Sequence, residues 1–566
     1  MKTITVFISL ALGVLWQQPP VMVQKIPHLE KRHGAIQLIV AGKPFTMVCG
    51  ELHNSTASAP DYFDEALKNA QQMQVNSVIA SVSWEQLEPE EHHYNFSLTD
   101  HIIKAAHAAH LKLVLIWFAS WKNGESSYMP LWAKKDTKRF FRIRDRSGKE
   151  MSAVSPFCQA AMQADAKAFT ALMQHIRLKN RFNDVVMMQV ENESGAFSDI
   201  DHGMQAQELY RTAVPAKLTS YLQQHKATLD DYIKNAWERN GAKMNGRWAD
   251  LFGEDSLVAQ HLFMTWQYAS YIGEVCQQGK KAYNIPMYVN AWQDHPGQLP
   301  GVYPNGGPVA KGMDVYRAAA PAIDFIAPDV YLPNYRQICD KYFKPEKQNP
   351  LFVPECERTN PGKAFYALAQ DDAIGFGPFG IESMIANPAY AQSNAVLNEL
   401  LPLITRYQGT GRMRAFLQEG NEDSTSADMG EYHIAVKFTS KSKRSFGLII
   451  QTGDQDFLVA GMDCRLTFSA RRQDVVAQIG EVLEGGFWNQ QWRTTRRLNG
   501  DETWHDRVLV IGSRSYKVTY QKGVRHSVQV LAPAPVLDEA LEPGLQINQV
   551  AAPAIYKVKV FELFNE

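Results

Sequence analysis

The sequence lacks most of the features that would place it outside ordinary globular enzymes. It has only six cysteines (Cys49, Cys158, Cys276, Cys339, Cys356 and Cys464) in 566 residues, with no C-x-x-C pair. That excludes finger-like zinc spacing and a dense disulfide scaffold, and it reads as buried free thiols. The formal net charge is −1, so electrostatics provides no reason to expect nucleic acid or an anionic membrane as partner. Long apolar runs are missing as well. The longest, Ile4 to Trp16, is too short to span a bilayer. Placed behind Met1-Lys2 and ahead of Gln17-Gln18-Pro19-Pro20, it reads as a signal peptide over residues 1–23. A periplasmic or secreted protein without stable membrane insertion is expected, although a small-x-small cleavage site is missing. Disorder is excluded by composition: 45% hydrophobic and 21% charged residues are ordinary globular values. There is no internal repeat and no low-complexity linker.

What the sequence does contain is an alternation of short apolar runs with helix-period stretches. Strand candidates are Pro44–Glu51, Asn76–Trp84, Lys112–Phe118, Val185–Met188, Ile285–Trp292, Ile323–Tyr331, Leu351–Glu355 and Ala373–Glu382. Eight in one series predict a (β/α)₈ TIM barrel over residues 35–400. Beyond about residue 405 the period shortens. His433–Thr439, Ser445–Gln451, Phe457–Phe468, Arg507–Ile511, Tyr516–Tyr520 and Tyr556–Val560 predict a C-terminal β-sandwich-like domain over 405–566.

In such barrels chemistry sits at the carboxyl ends of the strands. Gln189-Val190-Glu191-Asn192-Glu193 ends the fourth strand, and Pro354-Glu355-Cys356-Glu357 ends the seventh. A carboxylic acid on one outlet and a carboxylate on the other are what retaining hydrolysis of a glycosidic bond requires, held about 5–5.5 Å apart. Spacing alone leaves Glu191 and Glu193 equivalent, and likewise Glu355 and Glu357, because strand alternation would place each pair on one face. Other outlets present Glu51, Trp84, Trp121, Asn123, Asn290, Trp292, Tyr331 and Glu382. The tryptophans are candidate stacking surfaces for a sugar ring, and Glu51, Asn123, Asn290 and Glu382 are candidate hydroxyl partners. Neither metal nor organic cofactor is expected. Glu90-Glu91-His92-His93 lacks the i, i+4 spacing of a helical metal site, and Pro378 interrupts Gly375-x-Gly377-x-x-Gly380 as a dinucleotide fingerprint.

Gln189-Val190-Glu191-Asn192-Glu193, followed by Gly195, resembles the acid/base motif Q-V-E-N-E-Y-G of the family 35 β-galactosidases. Trp84, Glu88, Pro89 and Phe96 resemble that family's W-N-x-H-E-P segment, and Gly50-Glu51-Leu52-His53-Asn54-Ser55 is similar to the opening of a bacterial branch with a distinctive C-terminal domain. The resemblance spans roughly residues 40–390. It implies Glu193 as acid/base, Glu355 as nucleophile, Asn192 on the sugar 2-hydroxyl and Tyr331 against the nucleophile. The implied activity is release of terminal β-galactosyl residues from a carbohydrate substrate by double displacement. Three departures lie in the implied glycon pocket: Ser194 for Tyr, Ser81 for a sugar-contacting Tyr, and Trp121-Lys122-Asn123 for a Cys-Ala-Glu loop. They keep open a retaining glycosidase acting on a glucoside, mannoside or arabinopyranoside. A non-catalytic carbohydrate-binding barrel is the alternative from another class.

Overall fold

The computed structural model describes residues 25–254, 256–498, 500–520, 528–531 and 545–564. The proposed signal peptide lies outside these residues. Each apolar run found above forms a buried parallel strand: β1 (Met47–Glu51), β2 (Ser77–Ser83), β3 (Lys112–Lys122), β4 (Val185–Asn192), β5 (Met287–Ala291), β6 (Phe325–Val330), β7 (Phe352–Val353 and Glu355–Cys356) and β8 (Gly375–Phe376). Each is followed by a helix: α1 (Pro60–Gln72), α2 (Ser97–Ala108), α3 (Gln159–Lys179), α4 (Leu257–Ala282), α5 (Met313–Ala319), α6 (Tyr335–Tyr342), α7 (Gly362–Gln370) and α8 (Pro388–Tyr407). Consecutive strands pair in parallel from β1 to β6, and the sheet closes through β7. Its first half pairs with β8 (Phe352 opposite Gly375) and its second half with β6 (Glu355 opposite Asp329). Pro354 separates the two halves, where a residue without an N–H interrupts the ladder. β8 returns to β1, Gly375 opposite Met47. The architecture is a (β/α)₈ barrel.

Alternation sorts the strand side chains into two layers. Ile79, Val114, Ile116, Phe118, Met187, Tyr288, Phe325 and Phe352 fill the barrel interior, joined by Leu38 and Val40 from the strand Ala35–Val40 that precedes β1. Val78, Ala80, Val82, Leu113, Leu115 and Trp117 point outward and are covered by the helices. All six cysteines are buried free thiols, and no described helix is long and apolar enough to cross a membrane.

After α8 the chain becomes antiparallel. A six-stranded sheet and a four-stranded sheet enclose an apolar core containing Ile434, Val436, Ile449, Val459, Leu466 and Tyr556. The proposed single strand Phe457–Phe468 is two, Asp456–Met462 and Cys464–Ala470, turning at Asp463 (φ 56°). The long hairpin Val475–Trp488 and Gln491–Leu498 has no counterpart among the sequence-derived strands. This module is docked against α7. The Phe365 and Phe446 ring centroids are 4.8 Å apart, and Gly362 permits the approach, since a Cβ there would lie 2.4 Å from Phe446 Cβ.

Candidate active site

Four carboxyl groups from four strand ends meet at the carboxyl mouth of the barrel. Glu51 ends β1, Glu193 follows β4, Asp329 lies near the end of β6, and Glu355 opens the second half of β7. All four are buried. Asp329 and Glu355 are direct register partners, and Glu193 shares a hydrogen bond with Asp329. Asn290 of β5 ties the group together: its Oδ1 accepts from the Glu193 N–H at 2.9 Å, and its Nδ2 donates to Asp329 Oδ2 at 2.7 Å.

Electrostatics separates the four. Burial, and then the negative charge of Glu355, raise Glu193 from 4.5 to about 7. Burial followed by the Glu355 charge also lifts Glu51 and Asp329 well above the usual carboxylate range. Glu355 is the charge that the other three feel. Burial raises its own pKa, but Lys122 and a hydrogen bond donated by Tyr331 Oη to its Oε1 oppose the rise. The arrangement therefore sets an acid lifted to about 7 beside a carboxyl group whose charged form Lys122 and Tyr331 favour, the division of labour that acid-assisted nucleophilic substitution needs.

The equivalence left open by spacing is resolved by the backbone. Glu191 and Glu193 both have positive φ, 63° and 44°, a region non-glycine residues seldom adopt. Two left-handed residues break the strand alternation, so the pair does not share a face. Glu191 turns away from the mouth and accepts from the Ser120 and Trp121 N–H groups at 3.2 and 2.7 Å. It also shares a hydrogen bond with buried Asp165 of α3, and burial followed by the charge of Asp165 raises its pKa. Glu357 departs for a different reason. It lies beyond the end of β7 and reaches Lys363 of α7 at 2.7 Å. Burial disfavours its charge, but Lys363 outweighs that and holds it below the usual range.

The remaining candidates divide. Asn192 is buried with both side-chain polar atoms unpartnered, as are both carboxyl oxygens of Glu51 and Oε2 of Glu382. Glu382 Oε1 accepts from the His53 N–H at 2.9 Å and Thr56 Oγ1 at 2.7 Å. Glu382 and Glu51 come close because Gly50 leaves room for Ile381, whose Cβ would be 2.3 Å from a Cβ at that position. Asn123 (φ 54°) accepts from Lys122 Nζ at 2.5 Å. Trp292 is partly exposed beside Phe197, ring centroids 5.9 Å apart.

Trp84 and Trp121, read from the sequence as stacking surfaces, are not. Both are fully buried in the outer layer. Trp84 donates Nε1–H to Glu88 at 2.7 Å. Trp121 donates to the Val154 carbonyl at 3.1 Å and packs on Tyr268 and Tyr271 of α4. Trp84 continues the outward parity of Val78, Ala80 and Val82, a signal present in the sequence. Asp329 was not singled out by the sequence reading, and Lys122 was named only within a loop that departs from the family pattern. An aspartate inside the apolar run Ile323–Val330 was the available signal for the first. Among the described residues no cluster of side chains suits a metal ion.

Residues 37–258 match the model for glycosyl hydrolases family 35, and residues 390–509 match a domain of unknown function (DUF5597). The chain is 28% identical over 177 residues to a β-galactosidase of Xanthomonas manihotis, an alignment covering 30% of this chain and 27% of that protein. Similar solved structures include a β-galactosidase from Rahnella sp. R3 (TM-score 0.43, 16% identity, 64% of this chain and 57% of that one). Another is the catalytic domain of a β-amylase from Paenibacillus polymyxa (TM-score 0.41, 13% identity, 60% and 92%). The chain thus spans about a quarter of the length of its curated relative. Residues 37–258, which carry β1 to β4 with Glu51, Lys122, Asn192 and Glu193, are thus the part of the chain that is similar to glycosyl hydrolases family 35.

Proposed function

We propose that the protein is a retaining exo-β-galactosidase that removes terminal β-galactosyl residues from oligo- or polysaccharides. The observation that carries this reading is the pairing of Glu193, raised to about 7, with Glu355, steadied by Tyr331, at one barrel mouth. In the first step Glu355 Oε2, unpartnered and buried, attacks the anomeric carbon. Glu193 gives its proton to the departing oxygen as the glycosidic bond breaks. In the second step Glu193 takes a proton from water, whose oxygen attacks the same carbon and releases Glu355. Asn192, with its amide unpaired, bonds the sugar 2-hydroxyl, and the free oxygens of Glu51 and Glu382 accept from other hydroxyls. Galactose as glycon rests on the family; Ser81, Ser194 and the Lys122–Asn123 loop favour testing a second glycon alongside it.

The test is trapping with a 2-fluoro-galactosyl reagent followed by peptide mapping, together with a panel of nitrophenyl glycosides. A label on Glu355, lost in Glu355→Gln and retained in Glu357→Gln, is the expected result. A label on Glu357, or turnover that survives Glu193→Gln and Glu355→Gln, would refute the assignment.

A further inference from the structure

The ammonium of Lys122 is a part of the mouth with no role in the steps above. Lys122 closes β3, and the chain beyond it runs along the outlet of β4. The Asn123 N–H donates to the Asn192 carbonyl and the Gly124 N–H to the Glu193 carbonyl, each at 3.1 Å. The side chain turns inward: Nζ lies 5.4 Å from the ring centroid of Phe118, a residue of the barrel interior. It is close enough to Glu51, Glu193 and Glu355 for its charge to favour the ionised form of all three. Among the described residues, however, its one hydrogen bond is the 2.5 Å contact to Asn123 Oδ1, and it makes no ion pair. An ammonium has three donors and no acceptor, so two donors are unused.

The wall around it is rich in carboxyl groups. Both Glu51 oxygens and Glu355 Oε2 are buried and unpartnered. A sugar hydroxyl entering there can donate its proton to one of these carboxyl oxygens. Its own oxygen then needs a donor in turn, and leaving that need unmet is costly in a buried site. Lys122 provides one, from a position in strand register with Asn192. We propose that Lys122 is a substrate-contacting residue whose ammonium donates to one hydroxyl oxygen of the glycon, and that this contact helps select the sugar. The inference rests on the glycosidase reading above and assigns the site a donor that the family motif does not include.

The experiment compares the wild type with Lys122→Met and Lys122→Arg on the nitrophenyl β-galactoside and on its singly deoxygenated forms. Thermal unfolding monitors the fold, and Lys122→Gln replaces the Met variant if that one does not fold. Loss of a charge-assisted hydrogen bond should lower kcat/KM on the parent substrate roughly 10- to 100-fold. For one deoxygenated substrate the same substitution should change kcat/KM by less than about threefold, because the contact is already missing. A loss that is uniform across all the deoxygenated substrates, or no loss on the parent, would overturn the contact. If another glycoside turns over instead, the galactose assignment fails, and the comparison is made on the deoxygenated forms of that glycoside. If none turns over, the hydrolytic reading fails. Calorimetric binding of galactose, glucose, mannose and arabinose then decides: weaker binding of one sugar by Lys122→Met supports the contact, and equal binding or none overturns it.

Discussion

Glu193 links the chemistry of the mouth to folded stability. Burial and the charge of Glu355 lift it from 4.5 to about 7, so the folded protein keeps a proton that the unfolded chain releases. A raised folded pKa contributes stability that is complete below the unfolded value and is lost as pH rises through the folded value. With those two values, about 2 kcal/mol of this stabilisation is present near pH 5.5 and almost none near pH 8.5. Glutamine is neutral at both and resembles the protonated acid in shape. Glu193→Gln should therefore gain about 2 kcal/mol relative to the wild type between those conditions, while losing activity. Urea unfolding followed by tryptophan fluorescence at the two pH values measures the difference. Repeating the substitution in a Glu355→Gln background should shrink the gain, because part of the lift comes from the Glu355 charge. A stability difference that is the same at both pH values would refute the idea that Glu193 is held protonated, and with it the acid role.

Three further outcomes are expected. The alkaline limb of kcat/KM should fall at about pH 7, where Glu193 loses its proton; a limb well above that, in a protein that still needs Glu193, would contradict the assignment. Tyr331→Phe removes the donor that steadies the charged form of Glu355. It should lower kcat/KM by about 10- to 100-fold and move the acidic limb upward, and an unmoved limb would separate Tyr331 from Glu355. Asp165→Ala removes the acceptor of Trp117 Nε1–H and Ser120 Oγ–H and the partner of Glu191. It should cost about 2–4 kcal/mol in thermal or denaturant unfolding through buried groups left unpaired.

The strands were legible because their signal is local. A short run such as Val185–Met188 or Phe325–Ala327 is apolar whichever neighbours it acquires, and eight of them separated by helical spacing admit few arrangements other than a closed parallel barrel. The outlets carrying Glu193 and Glu355 were visible for the same reason. The long hairpin Val475–Leu498 was not, since its mixed polar and apolar residues lie in a sheet with half-exposed faces. Sequence by itself thus determined the barrel and, Asp329 apart, the short list of acids at its mouth. Only the tertiary structure decided which acids face inward, because that depends on the left-handed turns at Glu191 and Glu193, on Lys363 drawing Glu357 aside, and on an outer helical layer that buries Trp84 and Trp121. Those outcomes come from backbone rotation and from partners distant in the chain, neither of which leaves a periodic trace in the order of residues.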